Sequence, residues 1–320
     1  MSYAFNHEET LEDGVRRIAL ELLDDSREQL SDPGDKLEDA VHTSRKNFKK
    51  MRALIRLIRD TLGKKTYKKE NVFFRNLGRE LAPVRDAHVL IDTLQDLKNY
   101  CTDEWVVDNI SVIRWEMEKT LNDKHLDDGE IEKRLENVRN GLDESYQRIA
   151  SWPEIPHAFN SLSNGLERVY RRGYNGFHKS YENPDTDTLH DWRKRVKYLW
   201  YHTRLTNIYW PVMLEPYGEE LHHLADLLGD DHDLAILKQA LLKEDIPFTL
   251  REPVSRLLSC LNRRRQYLQE HAFIVAQRIY AHEPASFITW YQAMWNAYQK
   301  LDSRQMESEN PGHENSADAG

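Results

Sequence analysis

Cysteine, glycine and proline are scarce in this chain of 320 residues, and long apolar runs are missing. The only two cysteines, Cys101 and Cys260, predict no disulfide framework and fit a reducing compartment. Thirteen glycines and eleven prolines favour long amphipathic helices over a β-sandwich or a disordered chain. No uncharged apolar run approaches the length of a membrane span, and the acidic, polar start excludes a secretory signal peptide. We therefore expect a cytoplasmic protein.

The charge is unevenly distributed along the chain. A net charge of −9 argues by itself against a polyanionic ligand. A few aligned cations nevertheless set the electrostatic potential of a local cleft. The 45 lysines and arginines are gathered rather than spread, since residues 42–59 contain no acidic residue at all.

Apolar residues recur at helical spacing along most of the chain. Breakers such as Gly63, Pro83 and Gly229-Asp230 fall in the gaps between the periodic segments. After about Ser303 the sequence becomes polar and acidic, which predicts a disordered tail over 303–320. The predicted helices lie near residues 8–30, 37–61, 68–81, 85–99, 103–122, 129–149, 157–181, 187–209, 214–228, 232–243, 252–281 and 285–302.

An internal repeat organises these helices. The segment from His42 to Lys46 is echoed by the segment from His190 to Lys194, and Lys49 and Lys197 follow in register. Arg85-Asp86 follows the first histidine at nearly the spacing at which His232-Asp233 follows the second. We therefore predict two related helical halves, residues 1–150 and 151–302, each built as a bundle.

The repeated basic helices carry the candidate site. At about 100° per residue, several cations after each histidine fall on one arc beside the apolar face of their helix, and Lys46 and Lys194 flank the two arcs. The arc residues are Arg45, Lys49, Arg52 and Arg56 in the first helix and Arg193, Lys197 and Arg204 in the second. Asp86 and Asp233 are assigned a supporting role as helix N-caps or ion-pair partners, and Arg79 and Arg172 are weaker candidates. The predicted anion-binding residues are His42, Arg45, Lys46, Lys49, Lys50, Arg52, Arg56, Arg85, His190, Arg193, Lys194, Lys197 and Arg204.

A solvated helix face is the alternative interpretation of each basic stripe, because most charge runs are solvated. A solvated face usually mixes signs, since like charges at i,i+4 spacing destabilise a helix. Both stripes instead lack acidic residues, from 42 to 59 and again from 193 to 207. This composition favours a site that an anion neutralises.

These motifs resemble the CHAD family, the conserved-histidine α-helical domains, over about residues 7–302. The first half contributes His42-x-x-Arg45-Lys46-x-x-Lys49-Lys50-x-Arg52 and Leu81-x-Pro83-x-Arg85-Asp86. The second half contributes Leu189-His190-Asp191-x-Arg193-Lys194-x-x-Lys197, Tyr201 and Leu228-Gly229-x-x-x-Asp233. Tyr198, Trp200 and His232 depart from the family pattern.

The resemblance implies an all-α fold of two pseudo-symmetric four-helix bundles with long helical hairpins and a basic central groove. It also implies a binding module for inorganic polyphosphate, without a cofactor, that is found at polyphosphate granules in the cytoplasm. Neither a membrane partner nor a nucleic-acid partner is expected.

Three other function classes stay open at this point. His190-Asp191 and His232-Asp233 look like the paired ligands of a metal-dependent phosphohydrolase, and His222 and Asp226 have the i,i+4 spacing of metal ligands. A nucleic-acid binder needs aromatic side chains on the basic face, and only the second stripe offers them, as Trp192 and Trp200. A protein-interaction scaffold is the third class.

Overall fold

The computed structural model describes residues 3–7, 9–84, 86–122, 127–242 and 251–309. Within these ranges the chain is all-α, as predicted, with short 3-10 turns and no strand. The α-helices are α1 (Leu11–Ser31), α2 (Leu37–Leu57), α3 (Arg59–Glu80), α4 (Asp86–Lys98), α5 (Glu104–Asn122), α6 (Asp128–Ala150), α7 (Asn160–Glu182), α8 (Thr186–Leu205), α9 (Pro211–Leu241), α10 (Arg251–Ile279) and α11 (Pro284–Glu309).

Local sequence explains where several helices begin and bend. The side chains of Thr10, Asp127 and Asp185 each accept a hydrogen bond from the first turn of α1, α6 and α8, which satisfies a backbone N–H that lacks a helical partner. Gly63 adopts φ 76° within α3 and bends that helix, a conformation that glycine adopts without steric cost. The break predicted at Gly63 is therefore a kink, and the predicted start of the next helix near residue 68 is wrong, because α3 begins at Arg59.

Two predicted helix ends are wrong. Helix α9 runs without a break through Gly229 and Asp230, because its apolar stripe continues on both sides of them and Gly229 is buried. Helix α11 continues to Glu309, so the polar tail predicted from Ser303 is helical over its first part. The rest of that predicted tail, 310–320, lies outside the described residues.

The helices pack in two main groups. Helices α1, α2, α3 and α6 contact one another in the first group, and α7, α8, α9 and α10 in the second, with α11 on α7. The two groups meet where α2 packs on α8 and where α7 packs on α2 and α3. The predicted joint at 150–157 lies between α6 and α7, and the pseudo-twofold relation of the halves stays a prediction.

The α4–α5 hairpin departs from a simple division into halves, because it packs on α9 and α10. A disulfide joins Cys101, just before α5, to Cys260 on α10. The expectation of no disulfide is therefore wrong. Nothing in the sequence shows that two cysteines 159 residues apart meet, because the packing of the hairpin on α10 decides it.

None of the helices in the described part of the chain is long and apolar enough to cross a bilayer.

Candidate anion-binding site

The contact between α2 and α8 positions the candidate residues. At its centre the buried His202 donates a hydrogen bond from Nε2 to the Ala53 carbonyl, 2.9 Å away. Burial lowers the pKa of His202 to about 4, so the ring is neutral at pH 7. Nearby, the Tyr3 hydroxyl donates to the Lys50 carbonyl at 2.7 Å, and the Tyr3 ring meets Tyr201 edge-on. These contacts hold the two histidine-headed helices together.

One group of cations, the lysine-rich cluster, joins the middle of α2 to α8. Burial lowers the pKa of Lys197, and the neighbouring charges of Arg193 and Lys46 lower it further. The pKa of Lys50 is lowered by burial and then by Arg204 and Lys46. The cluster consists of Lys46, Lys50, Arg193, Lys197 and Arg204.

Aromatic rings line one end of the lysine-rich cluster. The Arg204 guanidinium lies 5.4 Å from the ring centre of Trp200 and 5.7 Å from that of Tyr3. The Lys50 ammonium lies 5.5 Å from the Tyr3 ring centre on the same side. Cation–π contacts of this kind attract a cation without supplying a negative charge. The rings therefore support the cations without neutralising them.

Arg193 is the most enclosed member of the lysine-rich cluster. Burial lowers its pKa, while the charges of Asp233 and Asp226 on α9 act in the opposite direction. Its Nε is buried without a hydrogen-bond partner among the described residues. The backbone of Gly229 passes beside the guanidinium, and a Cβ there would lie 3.6 Å from Nε. A bound anion is one way to satisfy this buried donor.

A second group, the arginine cluster, gathers cations from four helices. Burial lowers the pKa of Arg52, and the charges of Arg56 and Arg75 lower it further. The pKa of Arg195 is lowered in the same way by burial, Arg172 and Arg56. The cluster consists of Arg52, Arg56, Arg75, Arg172 and Arg195.

Neutral side chains hold Arg52 and Arg56 of the arginine cluster in place. Asn71 Oδ1 accepts hydrogen bonds from Arg52 at 3.2 Å and from Arg56 at 3.0 Å. The Tyr67 hydroxyl accepts from Arg56 at 2.8 Å, and the Arg56 guanidinium lies 4.4 Å from the ring centre of Tyr198. In the described part of the chain, no carboxylate forms an ion pair with any of the five arginines. The cluster therefore retains its positive charge.

The two clusters flank the α2–α8 contact. Lys50 and Arg56 lie three residues before and after Ala53, about 60° to either side of it on the helix. The α8 stripe consequently joins Lys46 and Lys50, whereas Arg52 and Arg56 join Arg195. The single groove that the sequence predicts therefore remains a prediction, and the structure arranges these candidates as two clusters.

The comparison with known families decides the family of this chain. A family profile described as the CHAD domain matches residues 17–242. The chain belongs to the CHAD family. The matched segment contains every residue of both clusters and ends just after α9, so α10 and α11 lie beyond it. No curated protein matches the chain.

Other predicted residues of the CHAD domain lie around the clusters. Arg45 donates from Nη1 to the Ala82 carbonyl at 3.4 Å, and Lys194 forms an ion pair with Asp191. The side chains of His42 and Lys49 are exposed. Arg85 lies outside the described residues.

The two supporting aspartates differ in position. Asp86 is the first residue of α4. Asp233 lies inside α9, so its predicted role as an N-cap is wrong, because the helix does not restart after Gly229. Its charge acts on Arg193 and Lys197 instead, which fits the ion-pair alternative.

A pair of imidazoles adjoins the lysine-rich cluster. The rings of His190 and His232 lie 4.2 Å apart. Burial lowers the pKa of His190, followed by the charges of Lys194 and Arg193. Burial and the neighbouring His190 lower the pKa of His232 to about 4. Both rings are therefore neutral at pH 7, and the Nδ1 atom of each is buried without a hydrogen-bond partner among the described residues.

The observed site can be compared with the metal-dependent hydrolase and the nucleic-acid binder, two classes that the sequence left open. Within the described ranges, no group of three or more histidine, cysteine, aspartate or glutamate side chains has the arrangement of a metal site. His222 Nδ1 and Asp226 lie 3.0 Å apart as a pair. Trp192 is fully buried, so it is not available to stack on a base. Trp200 is half-buried beside Tyr201 and His222, and its remaining surface lines a cavity.

Several cluster residues were absent from the sequence prediction. Arg195 stands in the acid-free stretch of α8 but about 140° around the helix from His190, outside the predicted arc. Arg75, Tyr67 and Asn71 lie on α3, where no histidine motif marks them. Arg172 was a weaker candidate and is brought in by α7. Extending the acid-free criterion to every arginine of α8 finds Arg195. The α3 residues can be recognised only from the fold.

Proposed function

We propose that this CHAD domain binds inorganic polyphosphate through its two cationic clusters. The observation that carries the proposal is the arginine cluster, in which five guanidinium groups gather and the two from α2, Arg52 and Arg56, are held by neutral side chains. Like charges gathered in this way oppose one another, and burial without a counter-ion is costly. The chain has an excess of acidic residues, yet none forms an ion pair with this cluster in the described part of the structure. An external polyanion supplies the missing charge.

The chemistry of the clusters suits a phosphate chain. Guanidinium groups donate two parallel hydrogen bonds to non-bridging phosphate oxygens, and lysines add mobile positive charges. Cations on both sides of the α2–α8 contact match an extended ligand better than a single compact anion. Affinity then depends largely on released counterions and falls steeply with salt.

Paired substitutions test the proposal. We expect the Arg56→Ala/Arg195→Ala and Lys46→Ala/Lys197→Ala variants each to bind polyphosphate at least roughly tenfold more weakly, since each lost charge-assisted hydrogen bond contributes about 1.5–3 kcal/mol. The slope of log affinity against log salt should flatten by about 0.7 per lost phosphate contact. The matched control is Lys119→Ala/Lys133→Ala, which removes two exposed lysines elsewhere.

Titration calorimetry at two salt concentrations measures both quantities. Equal affinity and an unchanged salt slope in both cluster variants would contradict the proposal. Loss in only one variant would restrict binding to that cluster. The single variants Arg45→Ala and Arg193→Ala should each weaken binding more than Lys133→Ala does.

We further propose that binding is not coupled to hydrolysis. The His190–His232 pair lies among Arg193, Lys194 and Arg265, whose charges oppose a divalent cation. Purified protein should not hydrolyse polyphosphate or nucleoside triphosphates with Mg²⁺ or Mn²⁺. Turnover that disappears in His190→Ala or His232→Ala would favour the phosphohydrolase instead.

The cellular location is a separate proposal. Cytoplasmic polyphosphate granules are the location that family membership favours. The Cys101–Cys260 disulfide is the observation against a reducing compartment, where disulfides are rare. Imaging of tagged protein together with thiol labelling of freshly lysed cells measures the location and the redox state at once.

A further inference from the structure

A cavity of about 660 Å³ opens beside the lysine-rich cluster. Its volume lies within the range of small-molecule sites. Two helices supply most of its wall, α8 on one side and α9 on the other. The residues that matter for its chemistry are Tyr3, Trp200, Arg204, Glu215, Glu219 and His222.

The two walls differ in charge. Trp200 and Arg204 are four residues apart on α8 and share a face with Lys197. Glu215, Glu219 and His222 follow one another at i,i+4 and i,i+3 spacing on α9, and His222 lies 4.3 Å from Trp200, ring centre to ring centre. One wall is therefore aromatic and cationic, and the other carries the carboxylates of Glu215 and Glu219 beside His222 and His223.

Inorganic polyphosphate does not account for this cavity. Carboxylates repel phosphate, so Glu215 and Glu219 disfavour a bare phosphate chain beside them. An aromatic group with amino donors meets both requirements, since it stacks against Trp200 and donates hydrogen bonds to carboxylates. Arg204 lines the cavity and belongs to the lysine-rich cluster, so one molecule can contact both.

We propose that the cavity holds the base of a nucleoside polyphosphate whose phosphates occupy the lysine-rich cluster. The phosphate half of this inference rests on the proposed function. Adenine, guanine and cytosine carry an exocyclic amino group that donates to Glu215 or Glu219, whereas uracil carries none. The site therefore discriminates between nucleotides by the amino group and by stacking.

Direct titration of the full chain with ATP, GTP, CTP, UTP and inorganic triphosphate, without divalent cations, tests the proposal. We expect CTP, ATP and GTP to bind at least tenfold more tightly than inorganic triphosphate, and CTP more tightly than UTP. Trp200→Ala should bring the affinities of the nucleotides and of inorganic triphosphate together, when both are measured on that variant. Trp115→Ala is the matched control, because Trp115 is an exposed tryptophan on α5.

A double variant separates recognition of the base from loss of folding, because one of its expected effects is a gain of binding. Glu215→Ala/Glu219→Ala should abolish the preference for CTP over UTP and strengthen the binding of inorganic triphosphate, because repulsive charges are gone. Trp200→Phe, which keeps a stacking ring, should retain most of the nucleotide advantage.

The two proposals fail in different ways. Equal affinity for CTP, UTP and inorganic triphosphate, with long polyphosphate still bound, overturns the nucleotide site alone. Failure of every phosphate compound to bind overturns the proposed function as well. Nucleotide binding that Trp200→Ala leaves unchanged places the base elsewhere and overturns this site.

Discussion

The lowered pKa values of the cluster residues have a common physical origin at the residue scale. Lys50, Arg52, Arg193, Arg195 and Lys197 each lose hydration on burial, and for each of them burial is the largest cause of the shift. Neighbouring cations add to the effect for most of them. A bound polyanion reverses the contribution of the neighbours because it favours the charged forms.

The imidazole pair predicts a pH dependence of binding. His190 and His232 are neutral at pH 7 because their pKa values are lowered, that of His232 to about 4. A polyanion beside them raises these pKa values, so binding takes up protons and affinity increases as the pH falls. For His232 the increase lies between the raised pKa of the complex and about pH 4, the pKa of the ring without ligand. Calorimetry with a long phosphate chain between pH 7.5 and about 5 measures it.

Glutamine substitutions test whether the two imidazoles are the source of the pH dependence of binding. His190→Gln/His232→Gln should bind with a shallower pH dependence than the wild type, whereas His178→Gln, an exposed histidine on α7, should not change it. A long chain is needed because terminal phosphates themselves titrate near pH 6. The same slope in the double variant and the wild type would contradict this prediction.

At the scale of elements, a close approach of α7 to α2 brings the two helix groups together. A Cβ on Gly165 would lie 2.0 Å from the Leu57 carbonyl oxygen, which backbone atoms do not tolerate. Helix α7 also delivers Arg172 to the arginine cluster from this packing. A small residue at 165 is therefore needed for the fold and, through the fold, for the cluster.

Gly165→Ala should consequently lower the free energy of unfolding by about 1–3 kcal/mol, the usual effect of overpacking. The matched control is Gly78→Ala in α3, where the added Cβ meets only Phe48 at 3.9 Å. That substitution should raise stability by about 0.5–1 kcal/mol through helix propensity. Urea unfolding followed by circular dichroism compares the two. A Gly165 variant as stable as the wild type would show that α7 can move away from α2 at little cost.

At the scale of the whole molecule, the Cys101–Cys260 disulfide ties the α4–α5 hairpin to α10 across 159 residues. Closing so long a loop restricts the unfolded chain strongly, and removing a native disulfide typically costs about 2–5 kcal/mol. We expect a reducing agent to lower the stability of the wild type by an amount in this range. The Cys101→Ser/Cys260→Ser variant should be less stable and insensitive to the reducing agent. Urea unfolding with and without reductant measures the difference in stability. Coincident curves for the wild type would contradict the prediction.

The sequence by itself determined the helices and the family. Apolar periodicity and the breakers at Gly63 and Pro83 predicted most helix positions within a few residues. The histidine motifs at His42 and His190 predicted the CHAD domain. These features are local, because helical hydrogen bonds and caps join residues three or four positions apart.

Only the tertiary structure decided how the cations are grouped. Helical angles place Lys50 and Arg56 about 120° apart on α2, but only the position of α8 between them decided that they belong to different clusters. Gly229 reads as a breaker in the sequence, yet burial beside Arg193 keeps α9 continuous. Long-range packing alone brings Arg75 and Arg172 to the arginine cluster and Cys101 to Cys260, because their contacts join segments whose relative positions no local pattern encodes.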